Sequence, residues 1–136
     1  MNDRFLGTGA TGQGVYEYAL LRIVPRIERG ECFNAGVLVY SRSRALVAAR
    51  THLDESKLLA LDPGVDVAGV RAALRAVEGV CAGGEAAGQA AGDDAGRRFR
   101  WLVAPRSTVV QAGPVHTGLT TDPAAEAERL LALLVK

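Results

Sequence analysis

The chain reads as an α+β protein: a single layer pair in which two main helices pack on a largely antiparallel sheet, built from an N-terminal three-strand meander plus one or two later strands. Three observations predict this. Between residues 15 and 50, three runs rich in β-branched and aromatic residues alternate with short polar connections, the pattern of neighbouring antiparallel strands. Beyond residue 51 the apolar spacing lengthens to three and four, the helical period. A further strand-like run and a second amphipathic segment then follow, giving the order β-β-β-α-loop-β-α.

The first run, residues 15–24, is Val-Tyr-Glu-Tyr-Ala-Leu-Leu-Arg-Ile-Val, closed by Pro25. It is apolar on both sides near its middle: Tyr16, Tyr18 and Leu20 share one side, Ala19, Leu21 and Ile23 the other. That predicts a central strand covered on each face. A polar turn with Gly30 leads to the second run, residues 32–40, and residues 41–44 lead to the third, 45–50. Residues 51–61 hold one or two helical turns before the Asp62-Pro63-Gly64 break. Val67, Val70, Leu74, Val77 and Cys81 then mark a helix over about 66–82, capped by Asp66. Residues 83–96 are mostly Gly and Ala, too poor in bulky groups to be ordered by burial, and are expected to form a mobile loop. Residues 99–103 fit a strand or the end of a short helix, and 107–111 fit a strand. Asp122 and Pro123 open a last helix as N-cap and first helical residue, with Ala127, Leu130, Leu131 and Leu134 as its buried stripe. Residues 15–136 are thus expected to form one domain, a size that buries about 70% of its unfolded surface. Residues 1–14 are expected to be a flexible tail.

Composition narrows the function. Of the 49% hydrophobic residues, 23 are Ala and only eight are aromatic or Met, which argues against an aromatic-lined cofactor pocket. No cofactor is expected. Net charge is +1, without the basic excess of a dedicated nucleic-acid binder. No apolar run reaches the ~20 residues of a membrane span, and the N-terminus has no signal-peptide core, so a cytoplasmic location is expected. In a reducing compartment Cys32 and Cys81 read as small buried hydrophobes. The two histidines, His52 and His116, lie 64 positions apart with no metal-ligand spacing. Gly7, Gly9 and Gly12 spell a dinucleotide fingerprint, but no strand precedes them and no helix follows.

Charge is unevenly spread: residues 1–52 carry +3, 53–96 carry −5 and 97–136 carry +3. If the basic, strand-forming segments share a sheet, Arg22, Arg97, Arg98, Arg100 and Arg106 form a positive surface for an anion or acidic partner, or simply a solvated Arg-rich face. The densest polar segment is Pro105-Arg106-Ser107-Thr108, Gln111 and His116-Thr117-Gly118. There Arg106 and the adjacent hydroxyls suit a phosphate or carboxylate, and His116 suits proton transfer. The plainer reading makes Thr108 a strand residue, Gln111 and Gly118 turn formers, and His116 a partner of a backbone carbonyl; it carries more weight, because no second acid, base or nucleophile stands at a diagnostic spacing. Asn34 and Gly36 are odd in an apolar run. As i and i+2 strand neighbours they are expected to face the same way, with Asn34 offering its amide where Gly36 allows close approach, or serving a bulge or turn. Glu126 and Glu128 read as solvent-facing charge.

Tyr16-Glu17-Tyr18-Ala19-Leu20-Leu21-Arg22, Glu31-Cys32-Phe33-Asn34-Ala35-Gly36-Val37-Leu38-Val39, Pro105-Arg106-Ser107-Thr108, and Pro114-Val115-His116-Thr117-Gly118 with Asp122-Pro123 together resemble the bacterial domain of unknown function family 3037. The resemblance spans about residues 15–135. Where the family has Phe-Val-Asn-Val-Gly, this chain has Cys32-Phe33-Asn34-Ala35-Gly36. The resemblance implies an accessory, regulatory or antitoxin-like protein encoded beside a HipA-like kinase, with Arg22, Asn34, Gly36, Arg106, Ser107, Thr108, His116, Thr117 and Asp122 as matched positions of unassigned role. Two readings follow: a non-enzymatic module that binds a protein partner, or a small hydrolase or transferase acting on a phosphate-containing substrate, with Arg106 as clamp and His116 as acid or base.

Overall fold

The computed structural model describes residues 12–83 and 94–136. Its spine is β1 (Gly14–Ile23), formed from the first apolar run. β2 (Phe33–Ser41) pairs with one side of β1 from Ile23↔Phe33 to Glu17↔Tyr40, and β3 (Leu46–Thr51) pairs with β2. This is the expected meander. Its two turns use left-handed backbone at Gly30 (φ +71°) and Ala45 (φ +49°).

The other side of β1 is shared by two short strands lying end to end. β4 (Val110–Ala112) pairs with Leu21–Ile23, and β5 (His116–Thr120) pairs with residues 14–18. All pairings are antiparallel, in the order β3-β2-β1 with β4 and β5 along the same edge of β1. Both later strands therefore form, but the first is shorter than expected: 107–109 are loop, and Thr108 turns its hydroxyl onto the Val110 carbonyl at 2.8 Å. Gln111 and Gly118, read as turn formers, are strand residues.

Four helices complete the fold: α1 (Glu55–Leu61), α2 (Val67–Ala82), α3 (Ala95–Val103) and α4 (Pro123–Leu134). Each begins after an Asp whose carboxylate accepts from free N–H groups of the first turn: Asp54, Asp66, Asp94 and Asp122. The ambiguity at 99–103 resolves as helix, because Phe99 and Leu102 lie three apart on a buried stripe.

Helices cover both faces of the sheet. On one face Leu21, Ile23, Ala35 and Leu38 pack with Leu58 of α1, Val70 and Leu74 of α2, and Phe99 and Leu102 of α3. On the other, Tyr16, Val37 and Val39 pack with Ala127, Leu130 and Leu131 of α4, and with Val135. The two main helices, α2 and α4, thus lie on opposite faces and add a third layer to the expected pair. This follows from the double-sided apolar pattern of β1. Leu134, placed in the buried stripe by spacing, is partly exposed, and Val135 takes its place.

Cys32 is exposed in the connection before β2, whereas Cys81 is buried as expected. The tail at 1–14 and the loop at 83–96 fall mostly outside the described residues, except that Gly14 opens β1 and Ala95 and Gly96 belong to α3. Gly7 and Gly9 of the glycine pattern also lie outside them, whereas Gly12 is described, with φ +79°.

Candidate functional site

A bulge decides where the sequence-selected residues go. Opposite consecutive β1 residues Leu21 and Arg22 stand Gly36 and Asn34, which leaves Ala35 as the extra residue of β2. Its carbonyl accepts from His52 N at 2.8 Å. Asn34 and Gly36 therefore face opposite ways, correcting the simple i, i+2 expectation. Gly36 lies on the α1–α3 face, where an added Cβ would stand 2.8 Å from the Arg50 carbonyl oxygen. Asn34 lies on the α4 face and donates from Nδ2 to the Leu134 carbonyl at 3.1 Å, satisfying one of the orphan acceptors at the end of α4.

Register brings three more candidates to that face. Arg22 is flanked by Asn34 on β2 and Gln111 on β4. Its guanidinium lies over Gly113, where a Cβ would come within 3.0 Å of Cζ. Gln111 donates from Nε2 to the Thr108 carbonyl at 2.8 Å. His116 pairs with Tyr18, the ring centroids 5.2 Å apart, and Tyr18 stacks in turn on Tyr16 at 5.8 Å. Because α4 lies along β2 and β3, Tyr18, Leu20, Arg22, Gln111 and His116 form a partly exposed strip between α4 and the sheet edge.

The other candidates lie off this strip, although Arg106 lines one shallow pocket at the sheet edge together with Gln111. Arg106 belongs to the α2–α3 side: it donates to the Trp101 carbonyl, and its Cζ sits 4.7 Å over the Trp101 ring. There it borders an apolar cleft of about 270 Å³ between α2, α3 and β4. Ser107 and Thr108 lie in the loop before β4, and Thr117 pairs with Glu17 and points away from the strip. Arg106 and His116 thus occupy opposite faces of the sheet and do not form a clamp and base around one substrate. Asp122 caps α4. The five arginines expected on one positive surface are also divided, with Arg22 on the α4 face and Arg97 and Arg100 on α3.

One network lay outside the sequence reading. Tyr16 Oη donates to Glu126 Oε2 at 2.5 Å, and Arg129 holds both Glu126 oxygens at 2.7 Å. Burial, then the bond to Glu126, raises the Tyr16 hydroxyl far above its ordinary range, while the Arg129 guanidinium holds the Glu126 carboxyl below the usual carboxylate range. Glu126 is therefore a buried tether rather than solvent-facing charge; its side chain is only 10% exposed. Its signal was the tyrosine on the α4 face of β1, a polar-tipped ring that needs a partner when buried.

Among the described residues, no three His, Cys, Asp or Glu side chains group as a metal site, and no helix is long and apolar enough to cross a membrane. What the geometry defines is a small α+β protein with a five-stranded antiparallel sheet, helices on both faces, and a polar and aromatic strip along one edge. The family model described as Protein of unknown function (DUF3037) matches residues 18–135, and the chain belongs to that family. No curated protein and no solved structure matches it.

Proposed function

We propose that this protein is a non-enzymatic accessory module that binds a protein partner, such as a HipA-like kinase, along β5 and the adjoining strip. The single observation that carries this reading is the contrast between the two sheet edges. β3 is likewise paired on one side, with β2, but its Val47, Ala48 and Ala49 lie buried beneath helices. Among the described residues, β5 pairs with β1 alone and leaves His116, Thr117 and Leu119 exposed. Val115 (38% exposed) and Leu119 (57%) flank its length. An uncovered strand offers a row of free N–H and C=O groups, which natural sheets normally protect with charge, Pro or a covering helix. Addition of a partner strand satisfies those groups, while Tyr18, His116 and Arg22 supply the amphipathic and guanidinium contacts that dominate protein interfaces.

The test is capture from the native host with tagged wild-type protein and with Leu119→Lys, followed by reconstitution from the two purified proteins. A charge on the edge should abolish the complex while leaving the circular dichroism and melting temperature of the free protein unchanged. A complex that forms equally well with Leu119→Lys overturns the reading.

A further inference from the structure

On the α3 side of the sheet lies an open cleft of about 640 Å³, within the size range of small-molecule sites. The start of β1, the end of β2, the first turn of α3 and Thr117 of β5 line it. Its charge is carried by Arg42, Arg97 and Arg100 against Glu17 and Asp94. Both carboxylates are already engaged. Glu17 accepts from Arg100 Nη2 through both oxygens, at 2.9 and 2.7 Å, and Asp94 caps α3 by accepting from Arg97 N at 2.8 Å. Among the described residues, neither Arg42 nor Arg97 has a carboxylate partner for its guanidinium.

The cleft also has a fixed neutral group. Tyr40 stacks on the fully buried Phe99 ring with centroids 5.2 Å apart, which positions its hydroxyl in the wall. Gly96 makes the space: a Cβ there would come within 2.8 Å of Tyr40 Oη. The glycine thus sits in the first turn of a helix, a position where it costs helix stability, and it keeps that hydroxyl beside the arginines.

We propose that this cleft binds a phosphate monoester of nucleotide size, with Arg42 and Arg97 holding the phosphoryl oxygens and the Tyr40 and Thr117 hydroxyls completing the contacts. Two uncommitted guanidinium forks match the charge of a phosphate monoester, about −1.5 to −2 at neutral pH, better than that of a single carboxylate. The volume exceeds what a phosphate fills and leaves room for an organic group against Val15 and the Tyr40 ring. The cleft shares Thr117 with the docking strand, but its arginines lie in α3 and just after β2.

The experiment is calorimetric titration of the full chain with ADP, AMP and inorganic pyrophosphate, with citrate as a carboxylate control. Saturable binding of ADP or AMP is expected, weakened about tenfold by Arg42→Gln or Arg97→Gln and partly restored by Arg97→Lys. Arg75→Gln, on the exposed surface of α2, should leave it unchanged. The proposal is overturned if neither nucleotide binds, if both Gln variants bind like wild type, if pyrophosphate binds and the nucleotides do not, or if citrate binds as tightly as ADP. None of these results bears on partner capture by β5.

Discussion

The Tyr16 hydroxyl reaches across the interface between β1 and α4 and donates to Glu126 at 2.5 Å, joining residues 110 positions apart. With Asn34 bound to the Leu134 carbonyl, it ties both ends of α4 to the sheet. α4 is thereby held over β2 and β3, and the strip beside it stays open.

Removing this tether has a pH signature. Glu126 titrates below its ordinary value in the folded protein, so its contribution is complete above the unfolded pKa and is lost as pH falls through the lower folded one. Glu126→Gln should cost about 1–3 kcal/mol at neutral pH. That cost should begin to shrink as pH falls below the ordinary carboxylate range, about 4.3, and vanish only once the depressed folded carboxyl is itself protonated. Urea denaturation of both proteins across this range measures it, and a difference that stays constant down to acid unfolding counts against the assignment.

Two glycines should differ from a third. A Cβ at Gly118 would lie 2.8 Å from Cε1 of the buried Tyr16 ring, and one at Gly36 would lie 2.8 Å from the Arg50 backbone oxygen. Gly118→Ala should destabilise by about 1–3 kcal/mol as the ring is displaced. Gly36→Ala should cost at least as much, because backbone must yield. Gly64→Ala, whose Cβ would meet nothing nearer than 3.8 Å, should be neutral within about 0.5 kcal/mol. Equal melting temperatures for all three would contradict the packing described.

The two thiols should react at separate rates. Burial pushes the Cys81 thiol up to about 11, so it stays protonated at neutral pH, whereas Cys32 is exposed. In the folded protein an aromatic disulfide reagent should label one thiol promptly and the second only on unfolding. Prompt labelling of both would show that Cys81 is not enclosed between α2 and α3.

Local chemistry was legible where it acts within a few residues. The three-strand meander, Asp66 and Asp122 as caps, and Pro123 as first helical residue all follow from short patterns. What escaped depends on register. The Ala35 bulge reverses Asn34 relative to Gly36, and neither sequence position signals it. β5 was obscured by Gly118, yet this glycine is there because the Tyr16 ring lies on it. Arg106 and His116 are ten positions apart in sequence, but Arg106 precedes β4 on one face and His116 opens β5 on the other, so proximity along the chain did not become a shared site. Arg22, Asn34, Gln111 and His116, chosen from separate segments, do share a face because β1 aligns their strands.

Hydrogen–deuterium exchange of β5 with and without the reconstituted partner tests the docking claim most directly. In the free protein, the β5 amides that point away from β1 should exchange rapidly. In the complex, amides within His116–Thr120 should become protected while those of β3 do not change. Unchanged exchange in β5, with new protection confined to β3 or α2, would contradict docking at this edge.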